Sequence, residues 1–284
     1  MSKTPLYNLS PLRDVIEKHE LRAKKSLGQN FLLDLNVTDK IAKQTASIDQ
    51  TTVFEVGSGP GGLTRSLLMA GAKKVIAIEF DPRAVKALQE VKDASEGRLE
   101  IIQGDALKTN LKDLSQDEPA AIVANLPYNI ATPLLFGWLE QLHENQNAYS
   151  QMILMFQKEV ADRITAIPNN KIYGRLSVMS QWLCHCTPLF DLPPSVFSPP
   201  PKVTSTVVQF VPKKRDDSPL PPFKEMEQIV KAAFSQRRKM IRSTLKPYLQ
   251  ACEKCDIDIT LRAEDLTVEQ YILIAREVKA QGNA

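Results

Sequence analysis

No uncharged apolar run in this chain of 284 residues approaches the roughly 18 residues that a membrane-spanning helix needs. The opening stretch, "MSKTPLYNLSPLRDVIEKHE", mixes acids, bases and prolines and has no apolar segment, so it does not read as a secretory signal. Cysteine is scarce: Cys184 and Cys186 in "CHC", Cys252 and Cys255 in "CEKC". Such pairs bind zinc when a ribbon or knuckle holds them. Here one pair falls in a strand-like segment and the other at a helix end, so they read as reduced thiols, and no metal is expected. A dominant charge is missing too, because 36 Lys and Arg face 33 Asp and Glu for a net of +3. Overall charge therefore names no partner. These absences lead us to expect a cytoplasmic protein with no membrane attachment. With no heptad pattern, a monomer is the expected state.

What is present is a core and a pattern. Hydrophobic residues make up 43%, ordinary for a globular chain. From residue 51 onward, "TTVFEVG" (51–57), "KKVIAIEFD" (73–81), "LEIIQGD" (99–105), "AAIVANLPY" (120–128) and "QMILMFQ" (151–157) have the continuous apolar character of strands buried on both faces. Segments of helical spacing separate them, which predicts an α/β fold with a parallel sheet wrapped on both sides. Residues 184–212 predict two more strands around a proline-rich loop, and 213–222 a linker. Beyond it, from Phe223 to the C-terminus, the pattern is helical only. A boundary near 213 therefore divides a first domain, 1–212, from a small helical domain, 213–284.

"EVGSGPGGLT" (55–64) follows the first strand and opens a helix, the context in which glycines let backbone approach a nucleotide. Glu79 lies 22 residues after Gly57, at the end of the second strand, where a carboxylate can accept from both ribose hydroxyls. NAD fits those two strands. Two further features favour S-adenosylmethionine: Asp105, in "QGDA" after the third strand, is placed for an adenine amino group, and no Ser-Tyr-Lys or His-based hydride-transfer set is visible. Read without these neighbours, Asp105 is a helix N-cap.

The fourth strand ends in "NLPY", residues 125–128. Asn-Leu-Pro-Tyr marks methyltransferases that modify an exocyclic amino group. The N6 lone pair of adenine is delocalised into its ring, so the amine must be held for attack. Asn125, through its side-chain oxygen, and Leu126, through its backbone carbonyl, can each accept one N–H. Pro127 stiffens the turn, and Tyr128 offers a ring for stacking. A base must leave its stack to reach such a pocket. Phe197, set among prolines in "PPSVFSPPPKV" (193–203), is expected to cover the other face.

"KKSLGQNFLLD" (24–34), "EVGSGPGGLT", "IEFD", "GDA", "NLPYNIATPLL" and "PPSVFSPPPKVTSTVV" together resemble the KsgA/RsmA family of small-subunit rRNA adenine dimethyltransferases, from about residue 20 almost to the C-terminus. The resemblance implies a Rossmann-like class I S-adenosylmethionine-dependent methyltransferase sheet with a small all-helical C-terminal domain. It implies transfer of methyl groups to N6 of two adjacent adenines in a hairpin loop near the 3′ end of 16S rRNA, within the small (30S) subunit. It also implies a part in subunit biogenesis. Cofactor roles carry over to Asn30 and Leu32, in a covering segment spanning 20–35, and to Gly57, Glu79, Asp105 and Asn125. Ser58 and Pro60 depart from the commoner glycine loop and remain small or rigid. An erythromycin-resistance-type enzyme shares the "NLPY" motif, but the wording of "KKSLGQNFL" and "FSPPPKV" favours the small-subunit enzyme. A DNA adenine methyltransferase lacks support because no target-recognition domain is found. A non-catalytic nucleic-acid binder is disfavoured by the intact cofactor set.

Helical spacing through 231–246 lines Lys231, Arg238, Arg242 and Lys246 along one face, with Val230, Phe234, Ile241 and Leu245 adjoining. That basic stripe is the expected rRNA phosphate contact.

Overall fold

A computed structural model describes residues 5–21, 29–115, 120–215 and 219–282. Part of the expected covering segment, 22–28, lies outside those residues.

Among the described residues nine strands form: β1 (Phe31–Leu32), β2 (Thr52–Val56), β3 (Lys74–Glu79), β4 (Leu99–Gln103), β5 (Ala120–Ala124), β6 (Gln151–Gln157), β7 (Cys184–Leu192), β8 (Phe197–Ser198) and β9 (Ser205–Pro212). Seven make one sheet in the order β4-β3-β2-β5-β6-β9-β7. Pairings from β4 through β6 are parallel, and β9 runs antiparallel to β6. Every residue of β2 and β5 is buried, which is why these strands read as unbroken apolar runs. The exception is Glu55, a carboxyl only 1% exposed inside β2.

Chain order explains where a ligand belongs. From β2 the chain moves outward to β3 and β4, then returns to place β5 on the other side of β2. Order reverses between the carboxyl ends of β2 and β5, and such a switch point opens a crevice. Helices between the strands are locally encoded. In Pro82–Ala94, Asp81 caps the first turn by accepting from Arg83 N at 3.0 Å, and proline occupies the first helical position. Its Ala84, Ala87, Leu88 and Val91 are buried on one side.

Two compact units result. The first comprises 1–138, 147–158 and 188–211; the second comprises 139–146, 159–187 and 212–284. The second unit thus starts its last stretch beside the expected boundary but also takes in 139–146 and 159–187, which the sequence pattern left in the first domain. Aromatic packing inside this unit accounts for the difference. Trp182 stacks on Phe223 with centroids 5.8 Å apart, and Tyr173 meets Phe234 at 6.1 Å. The expected linker is also tied in, since Lys213 N donates to Leu183 O at 2.8 Å and His143 Nε2 lies 2.9 Å from Pro221 O.

The unbroken helix expected through 231–246 is corrected. The helix from Phe223 ends at Ala233, and a short helix resumes only at Ile241–Thr244. The N–H groups of Ile241 and Arg242 donate to Leu261 O and Ile259 O instead of to carbonyls one turn back. Ser235 Oγ donates to Ala232 O and helps close the first helix. Lys231, Arg238, Arg242 and Lys246 all remain exposed, but they sit in turn on a helix, a turn, a second helix and the 3-10 turn Lys246–Tyr248 rather than on one stripe.

Cys184 and Cys252 are buried, and all four cysteines are free. Among the described residues no cluster of His, Cys, Asp and Glu suits a metal ion, and no helix is long and apolar enough to cross a membrane.

Candidate active site

The carboxyl edge of the parallel sheet opens into a cavity of about 260 Å³ within the first unit. Asn30, Leu32, Gly57, Glu79, Asp105, Asn125, Leu126 and Tyr128 all line it. Phe197 does not.

The glycine loop is shaped by left-handed backbone. Gly57 has φ +76° and Gly59 φ +53°, conformations that side-chain-bearing residues rarely adopt. Gly59 also lies against Phe31, and a Cβ there would come within 2.9 Å of two ring carbons. Glu79 ties this loop to the next strand: Oε2 accepts from Gly59 N at 2.9 Å, and Oε1 from Asp81 N at 2.8 Å. Burial raises its pKa above the usual carboxylate value, and the backbone N–H groups partly oppose that rise. Below the loop, Glu55 accepts from Thr64 Oγ1 at 2.5 Å, and burial lifts its pKa to about 7.

At the third strand, Asp105 Oδ1 accepts from Leu107 N at 3.0 Å, so the side chain closes a turn rather than starting a helix. At the fourth, Asn125 Nδ2 donates to Asn30 O at 2.9 Å. The amide is thereby oriented, with its oxygen left as the acceptor. Tyr128 is half-buried, and its hydroxyl lies 2.6 Å from Ser205 Oγ.

The placement expected of Phe197 is corrected. It is 4% exposed and shares a buried cluster with Leu32, Leu192 and Val207. Its strand β8 pairs with β1, placing Phe197 opposite Leu32, and this draws the ring inward despite the surrounding prolines. Three contributors were missed by the sequence reading. Glu55 was hidden inside an apolar strand. Phe80 and Leu107 are large apolar residues, 61% and 49% exposed, that line the cavity. Their signal was positional, since Phe80 follows Glu79 and Leu107 stands two residues after Asp105.

Four successive parallel strands deliver a glycine loop, a buried acid, a second acid and an Asn-Leu-Pro-Tyr turn to one cavity. Left-handed glycines give backbone close approach, and paired carboxylates suit ribose and adenine, so these residues fit a nucleoside-bearing methyl donor. This fold and site define a class I S-adenosylmethionine-dependent methyltransferase.

Comparison with known proteins narrows the class. A family model described as ribosomal RNA adenine dimethylase matches residues 20–280. "Ribosomal RNA small subunit methyltransferase A" of Rhodospirillum rubrum is 50% identical over 287 residues, covering 99% of this chain and 97% of that protein. Its counterpart in Agrobacterium fabrum is 52% identical over 271 residues, covering 94% and 97%. Among solved structures, a dimethyladenosine transferase from Plasmodium falciparum superposes with a TM-score of 0.73 at 27% identity, over 88% of this chain and 97% of that one. The 23S rRNA methyltransferase ErmE gives a TM-score of 0.65 at 23% identity, over 88% and 100%, a likeness of fold. The chain belongs to the ribosomal RNA adenine dimethylase family.

Proposed function

We propose that this protein methylates N6 of two adjacent adenines, each twice, in a hairpin loop near the 3′ end of 16S rRNA in the small (30S) subunit. It acts in the cytoplasm, as a monomer, during subunit biogenesis. The small-subunit name carried by relatives at 50–52% identity supports the substrate. The observation that carries the chemistry is the bond from Asn125 Nδ2 to Asn30 O, which leaves the amide oxygen of Asn125 as an acceptor on the cavity wall.

S-adenosylmethionine supplies an electrophilic methyl group when bound. Glu79 accepts from its ribose, Asp105 holds its adenine amino group, and the exposed Phe80 and Leu107 suit the faces of its purine. Gly57, Asn30 and Leu32 complete the wall. Asn125 and Leu126 accept from the target amine through the amide oxygen and the backbone carbonyl, taking its two N–H groups before the first transfer and its single N–H before the second. This leaves its lone pair free to attack. Positioning of this kind is worth on the order of 7–11 kcal/mol in well-oriented cases. Tyr128 stacks against the base that has left its helix or loop. Lys231, Arg238, Arg242 and Lys246, exposed on the second unit, contact rRNA phosphates.

The test is to incubate tritiated S-adenosylmethionine with small subunits from a strain lacking the modification, beside an Asn125→Ala control. Dimethyladenine in 16S rRNA, lost in the control, is expected. Label appearing only in large-subunit rRNA would overturn the substrate assignment. Binding to the particle without methylation would overturn the catalytic one.

A further inference from the structure

Tyr128 is fastened at both ends. Its backbone follows Pro127, and Ile130 N closes the turn on Pro127 O at 3.1 Å. At the far end of the ring, the hydroxyl lies 2.6 Å from the Oγ of Ser205, 77 residues away in the chain. Ser205 is 0% exposed. It opens β9 and stands opposite Gln157, the last residue of β6, so the antiparallel pairing of β9 with β6 brings a buried hydroxyl to the edge where the turn after β5 ends. Ser205 itself does not line the cavity, whereas Tyr128 does.

Two torsions set the angle of a tyrosine ring. A turn stiffened by proline places the first atom, and a hydrogen bond to a fully buried partner fixes the last. Burial raises the Tyr128 phenol above its ordinary pKa, so the hydroxyl keeps its proton and the bond persists across the working pH range. Removing Ser205 Oγ leaves the ring anchored at one end only, free to turn against the cavity wall.

We propose that Ser205 is a positioning residue for methyl transfer: through the Tyr128 hydroxyl it holds the ring at the angle on which the target adenine stacks. The proposal rests on the reading of Tyr128 as the base platform. Ser205 touches neither the base nor the methyl donor. Its effect therefore falls on turnover and not on donor binding.

The test uses the full chain as Ser205→Ala, Tyr128→Phe, the double variant and Tyr128→Ala. Initial rates are measured on small subunits lacking the modification, S-adenosylmethionine affinity by calorimetry, and thermal midpoints in parallel. Ser205→Ala and Tyr128→Phe should each lower kcat by about 3- to 10-fold, the range of one hydrogen bond. The double variant should be no slower than the slower single, because both remove the same bond. Donor affinity should stay within about 2-fold, since nothing facing the donor changes. Effects that multiply in the double variant would overturn the proposal. So would a wild-type rate in Ser205→Ala, or a loss of donor affinity matching its loss of rate. If Ser205→Ala does not fold, Tyr128→Phe still decides, because it deletes one oxygen from a half-buried ring and full activity there sinks the idea. Tyr128→Ala separates this proposal from the reading beneath it. A wild-type rate for that variant defeats the base-platform role itself, whereas a large loss in Tyr128→Ala beside unchanged Ser205→Ala and Tyr128→Phe defeats only the positioning role.

Discussion

Replacing Glu55 with Gln should stabilise the protein at about pH 8 and leave it nearly unchanged at about pH 4. The carboxyl lies 1% exposed in the middle of β2. Burial is the largest cause lifting its pKa from 4.5 to about 7; the Thr64 and Ser58 hydroxyls pull the other way, and Glu79 adds to the rise. An acid whose pKa is higher folded than unfolded holds its proton more tightly in the native state. Its contribution is therefore full below the unfolded value and is lost as pH climbs to about 7. At 1.36 kcal/mol per unit, the change amounts to about 3 kcal/mol. Gln keeps the volume and an acceptor for Thr64 but has no proton to lose. Urea unfolding of both proteins across the range from about pH 4 to about pH 8 should show midpoints that separate up to about pH 7 and stay apart above it. Midpoints that run parallel throughout would refute the argument. A gap that narrows with rising pH would show that its sign is wrong.

Glu79→Gln should cost about 2–4 kcal/mol and weaken S-adenosylmethionine binding, because an amide oxygen can accept from Gly59 or Asp81 but its NH₂ then faces the other N–H. Unchanged urea midpoints and calorimetric affinity would contradict that account. Gly59→Ala forces a left-handed φ of +53° on alanine and drives its Cβ to 2.9 Å from the Phe31 ring. Strain and overpacking of about 2–5 kcal/mol follow, so the thermal midpoint should drop by roughly 5 °C or more. Arg238→Ala combined with Arg242→Ala should weaken binding to rRNA without regard to sequence. The dependence of log affinity on log salt should become shallower by about 1.5, and an unaltered slope would remove these residues from the phosphate contact.

The parallel strands were legible because burial on both faces leaves an apolar run with few alternatives, and β2, β3, β5 and β6 lie within the expected spans. The cavity's main residues were legible for a related reason. In a doubly wound sheet each functional group follows its own strand directly, so Gly57, Glu79, Asp105 and Asn125 needed only local pattern to be placed at one edge. Helix Pro82–Ala94 declared itself through its Asp-Pro start and apolar spacing.

Tertiary structure decided whatever depends on partners distant in sequence. Lys231 to Lys246 keeps helical periodicity, yet the chain turns after Ala233 because carbonyls at 259 and 261 capture its N–H groups. Phe197 looked exposed among its prolines, and a two-residue pairing with β1 turned it into core. Residues 159–187 join the second unit through aromatic contacts that no local pattern announces. Ser205 reaches Tyr128 across 77 residues solely because β9 runs antiparallel to β6. Sequence by itself determined the sheet and the chemistry at the ends of its strands, since short-range propensity and burial act residue by residue. Only the folded chain decided which side chains those groups meet, because those partners lie far apart in sequence and no local pattern encodes their meeting.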